Sequence, residues 1–520
     1  MHQRFEVHPI DPDDPARLIE LVQSRLVDLW IEGGSPRYSP LHAIVQYACY
    51  LGARCALLQK DILDPDFTAE HDIYYSRWSQ EVPRSCDRIH LFAHTACSAD
   101  PLEVVDQMAQ EKDAYLGFFT LRPIRMNPVG ASILRMPASA ERHFILSRDS
   151  FPVNIAGRSF SVTGTPFMQQ DNAVGACAQT SIWMALRTLY RREGHAAFTP
   201  AEITSAATRF LINGRILPNR GGLVIEQVAE AVRAAGYSPH QILLKDTNQS
   251  PEQNLAYARR TLYPYVESGI PVLVVLERDV AEAHAMLLIG HSWQAAPEDV
   301  RPIGKLADTL DVHDASDWAQ PFFVHNDNSG PYLPLPAEDE EDYALAHASV
   351  AIPFLPAETF IDGNEARLAS LRLLDGILRN IDSLVAADHA SGAPAELPAS
   401  VVTRTYLQEK SAFRRAVLEG DVSEQARRYY RLKWLPRRVW VTEINAFEDY
   451  GRAPEGKARR LGEILLDPAS EPEDSAFLAI HLHAELLPGD QGIIIERDAF
   501  SGEVSTLPLE EDRPSKPLIR

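Results

Sequence analysis

The chain has 520 residues, 45% of them hydrophobic, which is more than one hydrophobic core serves and predicts two or three folded domains. Its formal net charge of -22 argues against a general nucleic-acid binder, whose affinity comes from neutralising phosphate, and against attachment to anionic membrane. Five cysteines, an odd number in a long chain, read as reduced thiols in a soluble cytoplasmic protein.

Residues 1–150 open with Leu18, Ile19, Leu21, Val22, Leu26, Val27 and Leu29 at helical spacings, and a second helix runs through Leu41, Ile44, Val45, Tyr47 and Ala48. Strands are expected at Arg54–Leu58, Ile89–Ala93 and Tyr115–Ile124, giving an α+β domain. No basic segment leads into an apolar one at the N-terminus, so no secretory signal is expected. Arg122 ends an aromatic strand, where it either clamps a carboxylate or reaches out to solvent. Cys49, Cys55, Cys86 and Cys97 lack the paired spacing of a zinc site.

Residues 151–335 carry the chemistry. In Gln169-Gln170-Asp171-Asn172-Ala173-Val174-Gly175-Ala176-Cys177 a turn of small residues runs into an amphipathic helix over 178–192, with Ile182, Ala185, Leu186 and Leu189 on its core face. A thiol at a helix start meets unpaired N–H groups and the positive end of the helix dipole, which favour a nucleophilic thiolate. Thr199-Pro200-Ala201-Glu202 reads as a helix cap, and Gly221-Gly222 leads to a further helix ending at Gly236. The two glycines make a turn or border a substrate cleft. Gly269–Leu276, His284–Gly290 and Phe322–His325 are short buried strands. If they pair side by side, Asp327 or Asn326 at the end of the third can orient the ring of His284 at the start of the second.

These residues, in this order, resemble the papain-like cysteine peptidases, and among them the branch of bacteriocin-leader-processing (double-glycine) peptidases. The resemblance covers roughly residues 160 to 335. It implies an α+β architecture in which a papain-like cysteine peptidase domain is flanked by N-terminal and C-terminal mixed α/β domains. It further implies Cys177 as nucleophile, His284 as general base and acid, Asp327 as orienting residue and Gln170 as oxyanion donor. The family's glutamine stands six residues before the cysteine, a place held here by Asp171, so Gln170 requires a turn one residue longer; Gln169 is the alternative. The expected activity is a peptidase or isopeptidase acting on a peptide or protein, with no cofactor and no metal. The alternatives are a non-catalytic peptide-binding module on the same fold and a cysteine acyltransferase or deamidase. The transporter to which the double-glycine peptidases are fused is absent, so bacteriocin secretion is not implied.

An acidic run, Glu338-Asp339-Glu340-Glu341-Asp342, reads as a solvated tether. Residues 355–520 form the third domain, broken by the low-hydrophobicity stretch Ala386–Ser400, with helices near 365–384 and 406–432 and strands at Arg438–Thr442 and Gly492–Ile495. The cation and aromatic stripe from Arg427 to Arg438 has the make-up of a single-stranded nucleic-acid groove, but in so acidic a chain it is expected to pair with carboxylates. His481, His483 and Glu485 alternate along a strand, a thinkable metal face that is expected to be a partly exposed strand face. The number of copies that assemble is left open.

Overall fold

A computed structural model describes residues 4–26, 39–124, 127–137, 143–171, 177–211, 222–279, 282–294, 300–339, 342–380, 398–420, 422–451, 458–471, 476–487 and 491–509. It is a mixed α+β protein with several sheets. Backbone contacts group it into two interleaved units, one of residues 1–245, 269–290 and 322–356, the other of 246–268, 291–321 and 357–520. Three consecutive stretches were expected. The first two merge because one hydrophobic cluster takes Leu18, Leu41 and Phe119 together with Ile182, Leu287 and Ile352, so no boundary of low contact falls at 150.

The first unit holds an antiparallel six-stranded sheet in the order Phe5–Pro9, Cys55–Ile62, Cys86–Phe92, Tyr115–Leu121, Ser132–Leu134, Pro166–Phe167. Its second large sheet runs Tyr237–Pro239, Ala348–Pro356, Val272–Asp279, Glu282–Ser292, Phe322–Asn326, Gly330–Leu335. The expected strands at 269–276, 284–290 and 322–325 are therefore neighbours in one sheet. Just before Pro166–Phe167, the last strand of the first sheet in sequence, Asp149–Ile155 and Arg158–Gly164 form a hairpin. Its two-residue turn puts Ala156 at φ 47° and Gly157 at φ 87°, the pair of positive angles that matches the twist of the strands.

The helix Cys177–Glu193 contains no Gly or Pro and starts at the cysteine. A one-faced stripe was expected, yet every residue from Ala178 to Leu186 is buried, polar ones included. Two of the polar ones bond outside the helix: Gln179 donates to Thr204 Oγ1 at 3.3 Å and Ser181 to the carbonyl of Ala285 at 3.3 Å. The helix Pro200–Ala207 has the predicted cap, with Glu202 N–H on Thr199 Oγ1 and the Glu202 carboxylate accepting from Thr199 N–H. Ile225–Ala234 follows, and Gly236 terminates it at φ 96°.

The second unit is built on an eight-stranded sheet ordered Gly304–Leu306, Leu310–Asp314, Ser400–Glu409, Arg438–Ala446, Arg460–Leu466, Phe477–Leu482, Gly492–Arg497, Val504–Leu509. Only the pairing of Leu310–Asp314 with Ser400–Glu409 is parallel among the described pairs. The helix expected over 406–432 is instead the end of a strand, Ser400–Glu409, followed by two helices, Lys410–Glu419 and Glu424–Leu432. Val401 to Leu407 is buried throughout, and tertiary pairing overrides the helical spacing there. Among the described residues no helix is long and apolar enough to cross a membrane.

Several side chains differ from expectation. Arg122 neither reaches solvent nor clamps one carboxylate: it is 1% exposed and donates to the carbonyls of Asn127 and Gln169 at 2.6 and 3.0 Å, with Glu70 3.7 Å away. His481 and His483 share a face, their rings 4.5 Å apart, but that face is fully buried, and Nδ1 of His481 meets Glu463 at 3.0 Å. Glu485 lies past the strand end and pairs with Arg459 at 2.9 Å, so the three do not converge. No three metal-ligating side chains gather among the described residues. From the cationic stripe, Arg427, Lys433, Arg437 and Arg438 pair with Glu424, Glu496, Glu409 and Glu358. Val27 and Leu29, residues 172–176, Gly221, Glu340, Glu341 and the stretch 386–397 lie outside the described residues.

Candidate active site

Cys177 is the first residue of its helix and half-buried. The strand Glu282–Ser292 crosses that helix start. Its Ala285 N–H donates to Cys177 Sγ at 3.4 Å, and the Ser181 bond to the Ala285 carbonyl ties the next helical turn to the same strand residue. These two bonds set the helix against the strand in one register. The neighbouring residue on that strand is His284, whose protonation the Cys177 side chain favours.

Nε2 of His284 lies 3.0 Å from Asn326 Oδ1 and 3.3 Å from Asp327 Oδ1. That leaves Nδ1 as the ring nitrogen for the sulfur. Neighbouring residues of a strand point to opposite faces, but Phe322–Asn326 ends at Asn326. Asp327 already belongs to the turn, so both side chains reach one nitrogen: Asn326 as the hydrogen-bond acceptor, Asp327 as a wholly buried charge. Burial is the largest influence on His284 and pulls its pKa down, but Asp327, Cys177 and Asn326 outweigh it and hold it at about 9. Burial pushes Asp327 up to about 6 against the pull of His284.

Gln170 donates from Nε2 to Asn328 Oδ1 at 2.7 Å, and Asn328 N–H donates to Asn326 Oδ1 at 2.9 Å. The structure thus brings Gln170 to the same turn as Asn326 and Asp327. Gln169 is 2% exposed and committed elsewhere, accepting from Val129 N–H and donating to Asn127 Oδ1, both at 3.2 Å. Asp171 is buried as well and accepts the hydroxyl proton of Tyr75.

Two features were not read from the sequence. The ring of Tyr343 packs on that of His284, centroids 5.2 Å apart and tilted by 36°. An aromatic residue directly after the acidic run was the available signal. The other is a buried cluster around Asp171, made of Asp66, Glu70, Asp171, Arg122 and Tyr75. Asp66 is held by Trp183 Nε1 at 2.9 Å and Arg187 at 2.7 Å, both from the cysteine helix. Burial first, then Asp171, pushes Glu70 up to about 8 against the pull of Arg122. A carboxyl whose folded pKa lies above its ordinary 4.5 stabilises the fold fully below pH 4.5, a contribution lost as pH rises through about 8. The chain should therefore resist urea better at pH 5 than at pH 8, and Glu70→Gln should shrink that difference. An unchanged pH dependence in the variant would show that Glu70 is not its source.

No protein-family model, curated protein or solved structure matches this chain.

Proposed function

We propose that the chain is a cysteine hydrolase of papain-like fold, a peptidase or isopeptidase of the reducing cytoplasm, acting through Cys177, His284, Asp327 and Gln170. One observation supports this reading: a half-buried thiol at a helix start accepts from the backbone N–H of Ala285, and the next residue on that strand is a histidine whose Nε2 is held by an amide and a carboxylate. In the reaction Nδ1 of His284 takes the Sγ proton and the sulfur bonds to the carbonyl carbon. The oxyanion is held by the Cys177 backbone N–H and by the Gln170 amide turned from Asn328. The imidazolium protonates the leaving amine as the C–N bond breaks. Water, deprotonated by His284, then releases the acyl group as a carboxylic acid and restores the thiol.

The test is selective alkylation. Burial raises the thiol pKa of Cys49, and that of Cys55 to about 12; Cys86 is pushed higher still, while Cys97 is exposed. Iodoacetamide at neutral pH should label Cys177 more than about tenfold faster than the other four, and His284→Ala should abolish that advantage. Equal labelling of Cys177 and Cys97 in the unaltered chain would favour a peptide-binding module on the same fold. Amine incorporation or ammonia release without cleavage would favour an acyltransferase or deamidase.

A further inference from the structure

The second unit contains a cleft of about 600 Å³, a volume in the range of small-molecule sites. It lies among the helices Pro251–Glu267 and Gly363–Arg379 and the strands Gly304–Leu306 and Leu310–Asp314. In a chain carrying 72 acidic and 50 basic side chains, this wall is reversed, with Arg260, Lys305, Arg367, Arg372 and Arg379 against Asp375 alone. Spacings of four and three along Gly363–Arg379 put Leu368, Arg372, Asp375 and Arg379 on one helical face. The floor is aliphatic, formed by Ile303, Val312, Leu368 and Leu371, and the lining contains no aromatic ring.

The cations are not equally occupied. Arg379 is taken up by Asp308 and Asp375 at 2.8 Å each, and Lys305 by Asp311 at 3.3 Å. Arg367 donates to Asn364 at 2.9 Å, and its carboxylate neighbour Asp314 stands 3.9 Å away. Its buried Nε–H has no acceptor, and the same holds for Nε–H of Arg260, which otherwise feels Asp317 and Arg259. Arg372 is exposed and makes no side-chain hydrogen bond or ion pair among the described residues. Buried guanidinium donors without an acceptor are costly, and they mark Arg260 and Arg367 as cations whose charge and hydrogen bonds the protein uses only in part.

We infer that this cleft binds an anion with an aliphatic chain, its carboxylate or phosphate head on Arg260, Arg367 and Arg372 and its chain along the leucine floor. An alkyl chain suits aliphatic walls, whereas a nucleobase would call for a ring to stack on. This site shares no residue with the proposed hydrolase site and does not rest on that reading.

Isothermal titration of the full chain tests it, with decanoate and decyl phosphate as the two head-group arms, both below their micellar concentrations. Saturable binding of one molecule per chain is expected for at least one of them. Decyltrimethylammonium and adenosine monophosphate should bind at least about tenfold more weakly. Arg372→Gln, at an exposed position, should weaken binding about tenfold, and Leu368→Glu should do so at least as strongly, with circular dichroism reporting that both variants are folded. Absence of binding by both anions would overturn the inference. So would equal binding of the cationic amphiphile, tighter binding of the nucleotide, or affinity unchanged in both variants.

Discussion

Replacing His284 by alanine is expected to slow peptide hydrolysis by a factor on the order of 10²–10⁴, the range contributed by one positioned acid or base. The loss should fall mainly on kcat, because in the proposed mechanism the imidazole moves protons in the transition state. Cleavage products from a proteome-derived peptide mixture, with Cys177→Ser as the blank, provide the readout. The pH profile sharpens the expectation. Below about pH 6 Asp327 is protonated and its charge no longer supports the imidazolium; above about pH 9 His284 loses the proton that the leaving amine requires. Hydrolysis should therefore be confined between those limits. Asp327→Asn keeps the Asn326 hydrogen bond but removes the charge, so the acid limb should vanish and the alkaline limb move down toward the ordinary histidine value of 6.5. Cleavage undiminished in His284→Ala would remove the histidine from the mechanism.

The parts of this site that could be read from sequence are those set by local chemistry. A cysteine after small residues and before an uninterrupted apolar helix marks a helix start, and the helix does begin at Cys177. The short apolar runs at 272–276, 285–290 and 322–325 mark strands because little else accommodates them. What decides between Asn326 and Asp327 is where the last strand stops. That one-residue boundary depends on the pairing of Phe322–Asn326 with Gly330–Leu335 and its register shift between Val324 and Asn326, which local pattern does not fix. Arg122 was misplaced for a related reason. Its strand end looks exposed in isolation, but the chain returns at Gln169 and covers it. Tyr343 and the cluster of Asp66, Glu70 and Asp171 join segments distant along the chain, 117 residues apart for Trp183 with Asp66 and 96 for Tyr75 with Asp171. Those meetings follow from packing, which side-chain spacing along the chain does not encode.

The same lesson applies in the second unit, where register alone creates a row of buried charge whose loss should be costly. Arg404 stands opposite Glu443, Glu443 opposite Glu463, and Glu463 opposite His481. Carboxylates facing each other across a ladder repel, so the row depends on cations at its margins. Arg460 supports Glu463, whose pKa is held at about 2 although burial, the largest influence, opposes it. Arg404, 2% exposed, donates to Glu443 Oε2 at 3.0 Å and to Glu267 from Nε at 2.9 Å. Arg404→Leu removes both contacts and leaves two buried carboxylates without their guanidinium, Glu267 keeping His291 and Glu443 keeping the Tyr406 hydroxyl. It is expected to cost about 3–5 kcal/mol, as for breaking a buried pair on one side, measured as the change in urea midpoint at constant slope. Arg404→Lys should recover only part of this, because a single ammonium cannot serve two carboxylates as a guanidinium fork does. Combining Arg404→Leu with Glu267→Gln and Glu443→Gln should restore much of the loss, since the penalty lies in the stranded charges rather than in the missing arginine. A single variant costing less than about 1 kcal/mol would mean that water reaches the row and screens it.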